Sequence, residues 1–250
     1  MKEYIETIPV NDAFASEDEC PFCYLQRMAE RSTLRYVIGP GASYMEPDVR
    51  AATTETGFCS HHMQSLYDYG NTLGSALILQ SYYAKLLSRL QTQAEDFQHP
   101  PKRGLFSKKA PQTQNSYWEQ LQQQVDDCFI CKRMDYHMQR YYNTFFAMIK
   151  EEEFRHRVET CKGFCVPHFA KLMQLAPEQL PNAQIEWFYP TVLKQMETHL
   201  TRVKEDLDWL IAKYDYRNAG ADWKNSKDAL PRAMQKMQGI HPADPPYKEK

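Results

Sequence analysis

Two cysteine patterns each occur twice along the chain, and this repetition constrains the fold more than any other feature. The first pattern is C-x2-C, found as CPFC at residues 20–23 and as CFIC at residues 128–131. The second is G-F-C-x2-H, found in GFCSHH at residues 57–62 and as GFCVPH at residues 163–168. The two C-x2-C copies begin 108 residues apart and the two G-F-C-x2-H copies 106 residues apart, so one two-residue length difference aligns both halves. The sequence therefore predicts an internal duplication.

The repeated residues are of the types that bind metal ions. C-x2-C places two thiolates in one tight turn, where both can reach a single ion. A cysteine and a histidine three residues apart lie on the same face of a helical turn, and Gly57 and Gly163 can permit the backbone bend that brings this turn to the ion. Each half then offers three sulfurs and one imidazole, a tetrahedral set for zinc. The predicted ligands are Cys20, Cys23, Cys59 and His62 in the first half and Cys128, Cys131, Cys165 and His168 in the second.

The first half contains two adjacent histidines, and the duplication selects between them. Both His61 and His62 follow Cys59 closely enough to reach the same ion. The second half has one candidate, His168, three residues after Cys165. His62 has the equivalent spacing, so it is the predicted ligand and His61 is expected to point about 100° away around the helix.

Four protein ligands leave no coordination position for water, so the two predicted zinc ions per chain are expected to be structural rather than catalytic. An iron–sulfur cluster held by three cysteines and one histidine is the alternative, and such a cluster would carry electrons. With zinc, three thiolates and one divalent ion contribute about −1 per site, which lowers the formal net charge from −2 to about −4. This negative balance argues against a general nucleic-acid-binding protein.

A CPFC dithiol can also serve in redox catalysis, and the surrounding residues argue against that function here. In redox proteins the motif follows a buried strand and opens a helix, which lowers the pKa of the first thiol. Here Glu17, Asp18 and Glu19 precede Cys20, and neighbouring negative charge is expected to raise the pKa of a thiol. Redox catalysis would also leave the second set of cysteines unexplained.

The apolar spacing predicts an all-α fold with two tandem duplicated helical units, each organised around a Cys3His metal site. No segment is typical of a strand, and a short helix is expected from Pro47 to the break at Gly57. In the longest predicted helix, apolar residues recur at steps of three and four, and Pro190 suits the first turn. The longer helices are predicted at residues 24–37, 72–92, 132–150 and 190–216.

Four segments are predicted along the chain. Residues 1–90 and 116–217 are the first and second helical zinc-binding repeats, and residues 91–115 form the linker between them. The linker contains a Pro-Pro pair and a basic cluster. It is expected to be a solvated segment, with a docking site for an acidic partner as the alternative. Residues 218–250 contain four prolines and are expected to be extended or partly disordered. The basic cluster consists of Lys102, Arg103, Lys108 and Lys109.

The chain shows no signal for export or for membrane insertion, and a cytoplasmic protein is expected. Its N-terminus has no apolar segment of the kind found in secretory signals, and its apolar runs are too short to cross a bilayer. In a reducing compartment, clustered cysteines are more often metal ligands or catalytic thiols than disulfides. Cys161 has no counterpart in the first half and is expected to be a buried or half-buried spare thiol, with a redox-sensitive thiol as the alternative.

The duplicated pattern resembles that of an uncharacterised bacterial family known only as a domain of unknown function. The resemblance covers roughly residues 1–217 and rests on CPFC, GFCSHH, CFIC, GFCVPH and the KYDYR segment at residues 213–217. It implies a cytoplasmic helical protein and no established activity.

The sequence alone predicts an interaction or scaffold module with structural zinc. Two lobes would form a cleft that can hold a protein partner or a small ligand, and neither nucleic acid nor a membrane is expected as a partner. The first alternative is a redox- or metal-responsive protein whose thiolates release zinc or hold an iron–sulfur cluster. The second alternative is an enzyme with its site in the cleft, although no nucleotide-binding loop or nucleophile–base arrangement is visible in the sequence.

Overall fold

The computed structural model describes residues 5–96 and 117–242, and within these ranges it contains helices and no strand. This confirms the predicted all-α class. Two short 3-10 helices, at Ser43–Met45 and Tyr216–Asn218, accompany the α-helices. The α-helices in the described residues are α1 (Thr7–Ala15), α2 (Pro21–Ile38), α3 (Pro47–Thr56), α4 (Ser60–Tyr69), α5 (Thr72–Asp96), α6 (Tyr117–Asp126), α7 (Phe129–Met148), α8 (Glu152–Thr160), α9 (Val166–Gln179), α10 (Asn182–Ala212) and α11 (Ala229–Gln238).

The described residues divide into two compact units whose boundaries differ from those of the predicted repeats. The terminal unit contains residues 5–29 and 135–242, and the central unit contains residues 30–96 and 117–134. Helices α2 and α7 contribute residues to both units. The division into repeats at 1–90 and 116–217 stays a prediction, and most of the predicted linker, with its basic cluster, lies outside the described residues.

Each unit has its own apolar core, and the cysteine motifs supply residues to both. In the terminal unit, Phe22 of CPFC and Phe164 of GFCVPH are fully buried, and the Phe22 ring stacks on Tyr142 with centroids 4.7 Å apart. In the central unit, Phe58 of GFCSHH and Ile130 of CFIC are buried. Burying such a side chain stabilises the folded state by about 1.5–3 kcal/mol. The apolar residues of the motifs therefore hold the motifs in the core.

The two glycines of the G-F-C-x2-H motifs were predicted to permit a bend of the chain, and both have positive φ. Gly57 has φ = +67° and Gly163 has φ = +74°, a region that residues with a Cβ rarely adopt. A Cβ at Gly57 would also lie 2.8 Å from the ring of Tyr82, and one at Gly163 would lie 3.3 Å from the carbonyl oxygen of Gln195. The prediction that these glycines permit the bend is therefore confirmed.

The start of the longest helix was predicted wrongly. Helix α10 begins at Asn182, so Pro190 lies inside the helix and not in its first turn. An internal proline has no N–H to donate to the preceding turn, and this helix nevertheless continues past it. The buried face contains Phe188, Val192 and Met196, whereas Leu193, one of the regularly spaced apolar residues, is half exposed.

The prediction of an extended tail after residue 218 is wrong for α11. Its sequence contains helix signals that the four prolines obscured, because Pro231 lies in the first turn, where proline is tolerated, and Gly239 follows the last turn with φ = +80°. The buried face of α11 is polar and contains Arg232, Gln235 and Lys236. Its exposed face is apolar and contains Leu230, Met234 and Met237, followed by exposed Ile240.

Candidate metal centres

Two groups of cysteine and histidine side chains each bring four ligand atoms within 4.8 Å of one another. All eight predicted ligands lie in these groups. Centre 1 belongs to the terminal unit and contains Cys20, Cys23, Cys165 and His168. Centre 2 belongs to the central unit and contains Cys59, His62, Cys128 and Cys131.

The grouping of the ligands corrects the expectation that each half of the sequence forms its own site. The first C-x2-C motif meets the second G-F-C-x2-H motif, and the second C-x2-C motif meets the first G-F-C-x2-H motif. Pairing Cys23 with Cys165 closes a separation of 142 residues instead of the 36 residues between Cys23 and Cys59. Loop-closure entropy makes the longer closure less favourable by only about 1 kcal/mol, so spacing along the chain does not decide the partner.

In both centres the ligands occupy equivalent positions at the N-termini of two helices. Cys59 is the N-cap residue of α4 and Cys165 is the N-cap residue of α9, so the histidine three residues later is the third residue of the same helix. Cys20 and Cys128 directly precede α2 and α7, and the second cysteine of each C-x2-C motif is again the third helical residue. The partial positive charge of four helix N-termini, two at each centre, favours thiolates at these positions.

Centre 1 is closed to solvent on all sides. His168 Nδ1 lies 3.5 Å from Cys20 Sγ, 3.5 Å from Cys23 Sγ and 3.1 Å from Cys165 Sγ. Cys23 Sγ and Cys165 Sγ are 3.5 Å apart. All four side chains are buried, and the exposed fraction of the three cysteines is at most 1%.

Centre 2 has a similar arrangement with two of its sulfurs nearer to solvent. His62 Nδ1 lies 3.3 Å from the Sγ atoms of Cys59 and Cys128 and 3.4 Å from that of Cys131. Cys59 Sγ and Cys131 Sγ are 3.9 Å apart. His62 and Cys128 are buried, whereas Cys59 and Cys131 are partly exposed.

The sulfurs within each centre shift one another's pKa in opposite directions. Burial alone would raise the pKa of Cys20, but its hydrogen bonds with Cys165, Cys23 and His168 lower it well below the ordinary value. Its contact with Cys20, together with burial, raises the pKa of Cys165 to about 12, although the hydrogen bond with Cys23 lowers it.

Centre 2 holds a thiolate–imidazolium pair when no ion is bound. Burial opposes both charges, but contact with His62 lowers the pKa of Cys128 to about 6. Contacts with Cys128 and Glu30 in turn raise the pKa of His62 to about 10, against the effect of burial. Burial and the neighbouring Cys128 raise the pKa of Cys131. A metal ion must displace the protons of these groups in order to bind.

The acidic residues before the C-x2-C motifs do not act on the thiols as the sequence analysis expected. Asp18 accepts a hydrogen bond from the backbone N–H of Cys20 at 3.0 Å and pairs with Arg27. Asp127 accepts one from the N–H of Cys128 at 2.8 Å and lies 2.6 Å from Lys132 Nζ. Because these carboxylates are compensated by cations and bond the backbone N–H of the cysteine that precedes each helix, they position the thiols rather than raise their pKa.

Glu30 supports centre 2, and no sequence pattern pointed to it. Its Oε1 lies 3.3 Å from Nε2 of His62, the ring nitrogen that faces away from the sulfurs, and 2.9 Å from Nε2 of His61. A carboxylate in this position holds the tautomer and orientation of a metal-binding histidine. His61 itself lies outside the sulfur cluster, and its side chain is 71% exposed.

Lys236 is the corresponding supporting residue of centre 1, and it lies in the segment predicted to be a tail. Its side chain is almost fully buried, and Nζ donates hydrogen bonds to the backbone carbonyls of Glu19 and Lys162. These residues lie just before Cys20 and Cys165, so one ammonium group joins the two segments that carry the ligands. Lys162 Nζ adds a second link, because it donates to the carbonyl of Glu17 at 2.8 Å.

Three other residues singled out in the sequence, Cys161, Asp215 and Arg217, lie outside both centres. Cys161 is buried, its thiol donates to the carbonyl of Val158 at 3.2 Å, and burial raises its pKa to about 11. Asp215 and Arg217 of KYDYR pair with each other, with Oδ2 and NH2 2.5 Å apart. Within the described ranges, no helix combines the length and apolar character required to cross a membrane.

Comparison with known proteins identifies a protein family for this chain. Neither the curated proteins nor the solved structures gave a match. A family model described as "Family of unknown function (DUF6062)" matches residues 1–244, which include all eight cysteines and histidines of the two centres. The chain belongs to this family of unknown function.

Proposed function

We propose that this protein binds two zinc ions, one at each centre, and that the ions have a structural role in a helical interaction or scaffold module. The single observation that carries the proposal is the closeness of three sulfurs and one imidazole nitrogen in each group, all within 4.8 Å. Thiolates with imidazole are the donor set that zinc prefers in tetrahedral sites. The ions would hold together pairs of helix N-termini that are far apart in the sequence.

The distances between donor atoms support a single tetrahedral ion at each centre. Zn–S bonds of about 2.3 Å and Zn–N bonds of about 2.0 Å require about 3.8 Å between two sulfurs and about 3.5 Å between sulfur and nitrogen. The observed separations are 3.5 and 3.9 Å between sulfurs and 3.1–3.5 Å between sulfur and Nδ1. An iron–sulfur cluster fits less well, because its ligands bind different iron atoms and lie farther apart around the cluster.

The coordination supports a structural role over a catalytic one. Catalytic zinc keeps one position for water or substrate, whereas four protein ligands fill a tetrahedron. The seven cysteines carry no disulfide, which supports a reducing compartment such as the cytoplasm as the site of action. In such a compartment disulfides are reduced, and zinc–thiolate bonds can cross-link the chain in their place.

The interaction role is supported by α11, whose apolar residues face outward. Leu230, Met234 and Met237 are 44–55% exposed and recur at helical spacing, while polar residues fill the buried face. Ile240, just beyond the end of the helix, is also exposed. A single helix face of this kind fits a groove on another protein.

Metal analysis of protein purified without oxygen tests this proposal. We expect close to two zinc ions per chain and a colourless solution. Removing zinc with a chelator should lower the melting temperature and the helical circular dichroism signal, because structural zinc contributes about 10–16 kcal/mol in small zinc peptides. Iron with a visible absorption band, or apoprotein that melts like the zinc-bound protein, would overturn the proposal.

A further inference from the structure

We propose that centre 2 is an oxidant-responsive site, in which hydrogen peroxide joins Cys59 to Cys131 in a disulfide and releases the zinc ion while centre 1 keeps its own. This inference rests on the proposed function, because it requires zinc at both centres. It assigns the two centres different tasks, although their ligand types and ligand positions on the helices are the same.

Solvent access is the first difference between the centres. Cys59 and Cys131 are partly exposed, whereas Cys20, Cys23 and Cys165 have at most 1% of their surface exposed. Susceptibility of a thiolate to peroxide follows its accessibility. An oxidant in solution therefore meets two partly exposed cysteines at centre 2 and only buried cysteines at centre 1.

Geometry selects the pair within centre 2. Cys59 Sγ and Cys131 Sγ are 3.9 Å apart and belong to different segments, one before α4 and the other in the first turn of α7. A disulfide needs about 2.05 Å between sulfurs, so the atoms must approach by about 2 Å. The third sulfur, that of Cys128, is buried with His62 and out of reach of solvent.

The distance between sulfurs alone would favour a disulfide at centre 1. Helix α11 covers that centre and protects it from oxidants in solution. Cys23 Sγ and Cys165 Sγ are only 3.5 Å apart. The end of α11 lies over both, since a Cβ at Gly239 would be 3.4 Å from Cys165 Sγ and 3.7 Å from Cys23 Sγ. Lys236 on the same helix fixes the segments before Cys20 and Cys165. Centre 2 has partly exposed sulfurs instead.

The chemistry balances with hydrogen peroxide as the only oxidant. The Cys59 thiolate attacks one peroxide oxygen, the O–O bond breaks, and uptake of one proton yields the sulfenic acid and water. The Cys131 thiolate then attacks the Cys59 sulfur, the S–S bond forms, and the departing hydroxide takes a second proton to become water. Two thiolates lose two electrons in total and peroxide becomes two waters. The zinc ion, left with Cys128 and His62, dissociates.

Titrating the zinc-loaded wild-type protein with hydrogen peroxide tests the inference. A colorimetric zinc indicator should report fast release of about one zinc ion per chain, with the second retained for at least tenfold longer. Peptide mass spectrometry without reduction should find Cys59 linked to Cys131, and dithiothreitol with added zinc should restore two ions. A Cys161→Ser variant is the matched control and should release zinc as the wild type does.

The outcomes separate this inference from the proposed function. A starting protein without two zinc ions refutes the proposed function itself. Two ions that are released together, a disulfide between other cysteines, or zinc release with Cys59 and Cys131 unlinked overturns the inference alone. Because the measurement uses the wild-type chain, it does not depend on whether a cysteine variant folds.

Discussion

Lys236 contacts Glu19 through both backbone and side chain: its Nζ donates to the Glu19 carbonyl at 2.5 Å and lies 3.3 Å from Oε2. Glu19 also pairs with Arg202, whose NH2 lies 2.5 Å from the same Oε2. Arg232 NH1 lies 3.9 Å from Oε1 of Glu19, so the residue before the first metal-binding cysteine is held by three cations from two helices, α11 and α10. Helix α11 thus belongs to the support of centre 1, although it begins more than 60 residues after His168.

We expect Lys236→Met to destabilise the terminal unit by about 3 kcal/mol, because it leaves two buried carbonyls without a donor and removes a cation from Glu19. Loss of zinc from centre 1 to a chelator should become at least tenfold faster. Thermal unfolding and chelator kinetics measure both effects. Met237→Ala, at the exposed neighbouring position, should change stability by less than about 0.5 kcal/mol. If both variants behave like the wild type, Lys236 does not organise the centre.

The grouping of the ligands is tested by pairs of substitutions and a zinc count. Cys23→Ala combined with Cys165→Ala should remove about one zinc ion, since both residues belong to centre 1. Cys23→Ala combined with Cys59→Ala should remove about two, because each centre loses one ligand. Grouping within each sequence half would give the opposite result: two ions lost from the first combination and one from the second.

The two adjacent histidines should differ in their effect on zinc content. His62→Ala is expected to remove about one zinc equivalent or to weaken its retention strongly, because Nδ1 of His62 faces all three sulfurs of centre 2. His61→Ala should keep the zinc content near two, since its exposed ring contacts Glu30 and no sulfur. Loss of zinc from His61→Ala alone would contradict the arrangement of centre 2.

Glu30→Ala should weaken zinc binding at centre 2 by about 10–100-fold, the usual effect of removing a carboxylate that orients a histidine ligand. Competition with a chelator of known affinity measures the change. Centre 1 should retain its affinity, and Glu46→Ala is a control at an exposed glutamate of the same unit. Equal weakening of both centres would instead indicate a general loss of folding.

The sequence was sufficient to predict the helical class and the eight side chains that meet, because those features depend on local spacing. Gly57 and Gly163 were also predictable, since a backbone bend at a fixed distance from the cysteine requires glycine. The pairing of each C-x2-C motif with a G-F-C-x2-H motif was not predictable. Both possible pairings supply the same ligand atoms, and their free energies differ only by a small loop-closure entropy. Lys236 and Glu30 were missed for a related reason: a charged residue far away in sequence gives no local signal of what it contacts.

The order of the ligands along the chain has a consequence for synthesis. The first four ligands to be translated, Cys20, Cys23, Cys59 and His62, form a complete Cys3His set that mixes the two centres. His168 follows His62 by 106 residues, so this set is exposed for about 5–20 s at ordinary translation rates. We expect a truncated chain that ends before Cys128 to capture one zinc ion, measurable by metal analysis. A zinc ion bound early by this mixed set must be released before the two native centres can form. A zinc ion that arrives after His168 is translated can bind a native centre directly and guide folding.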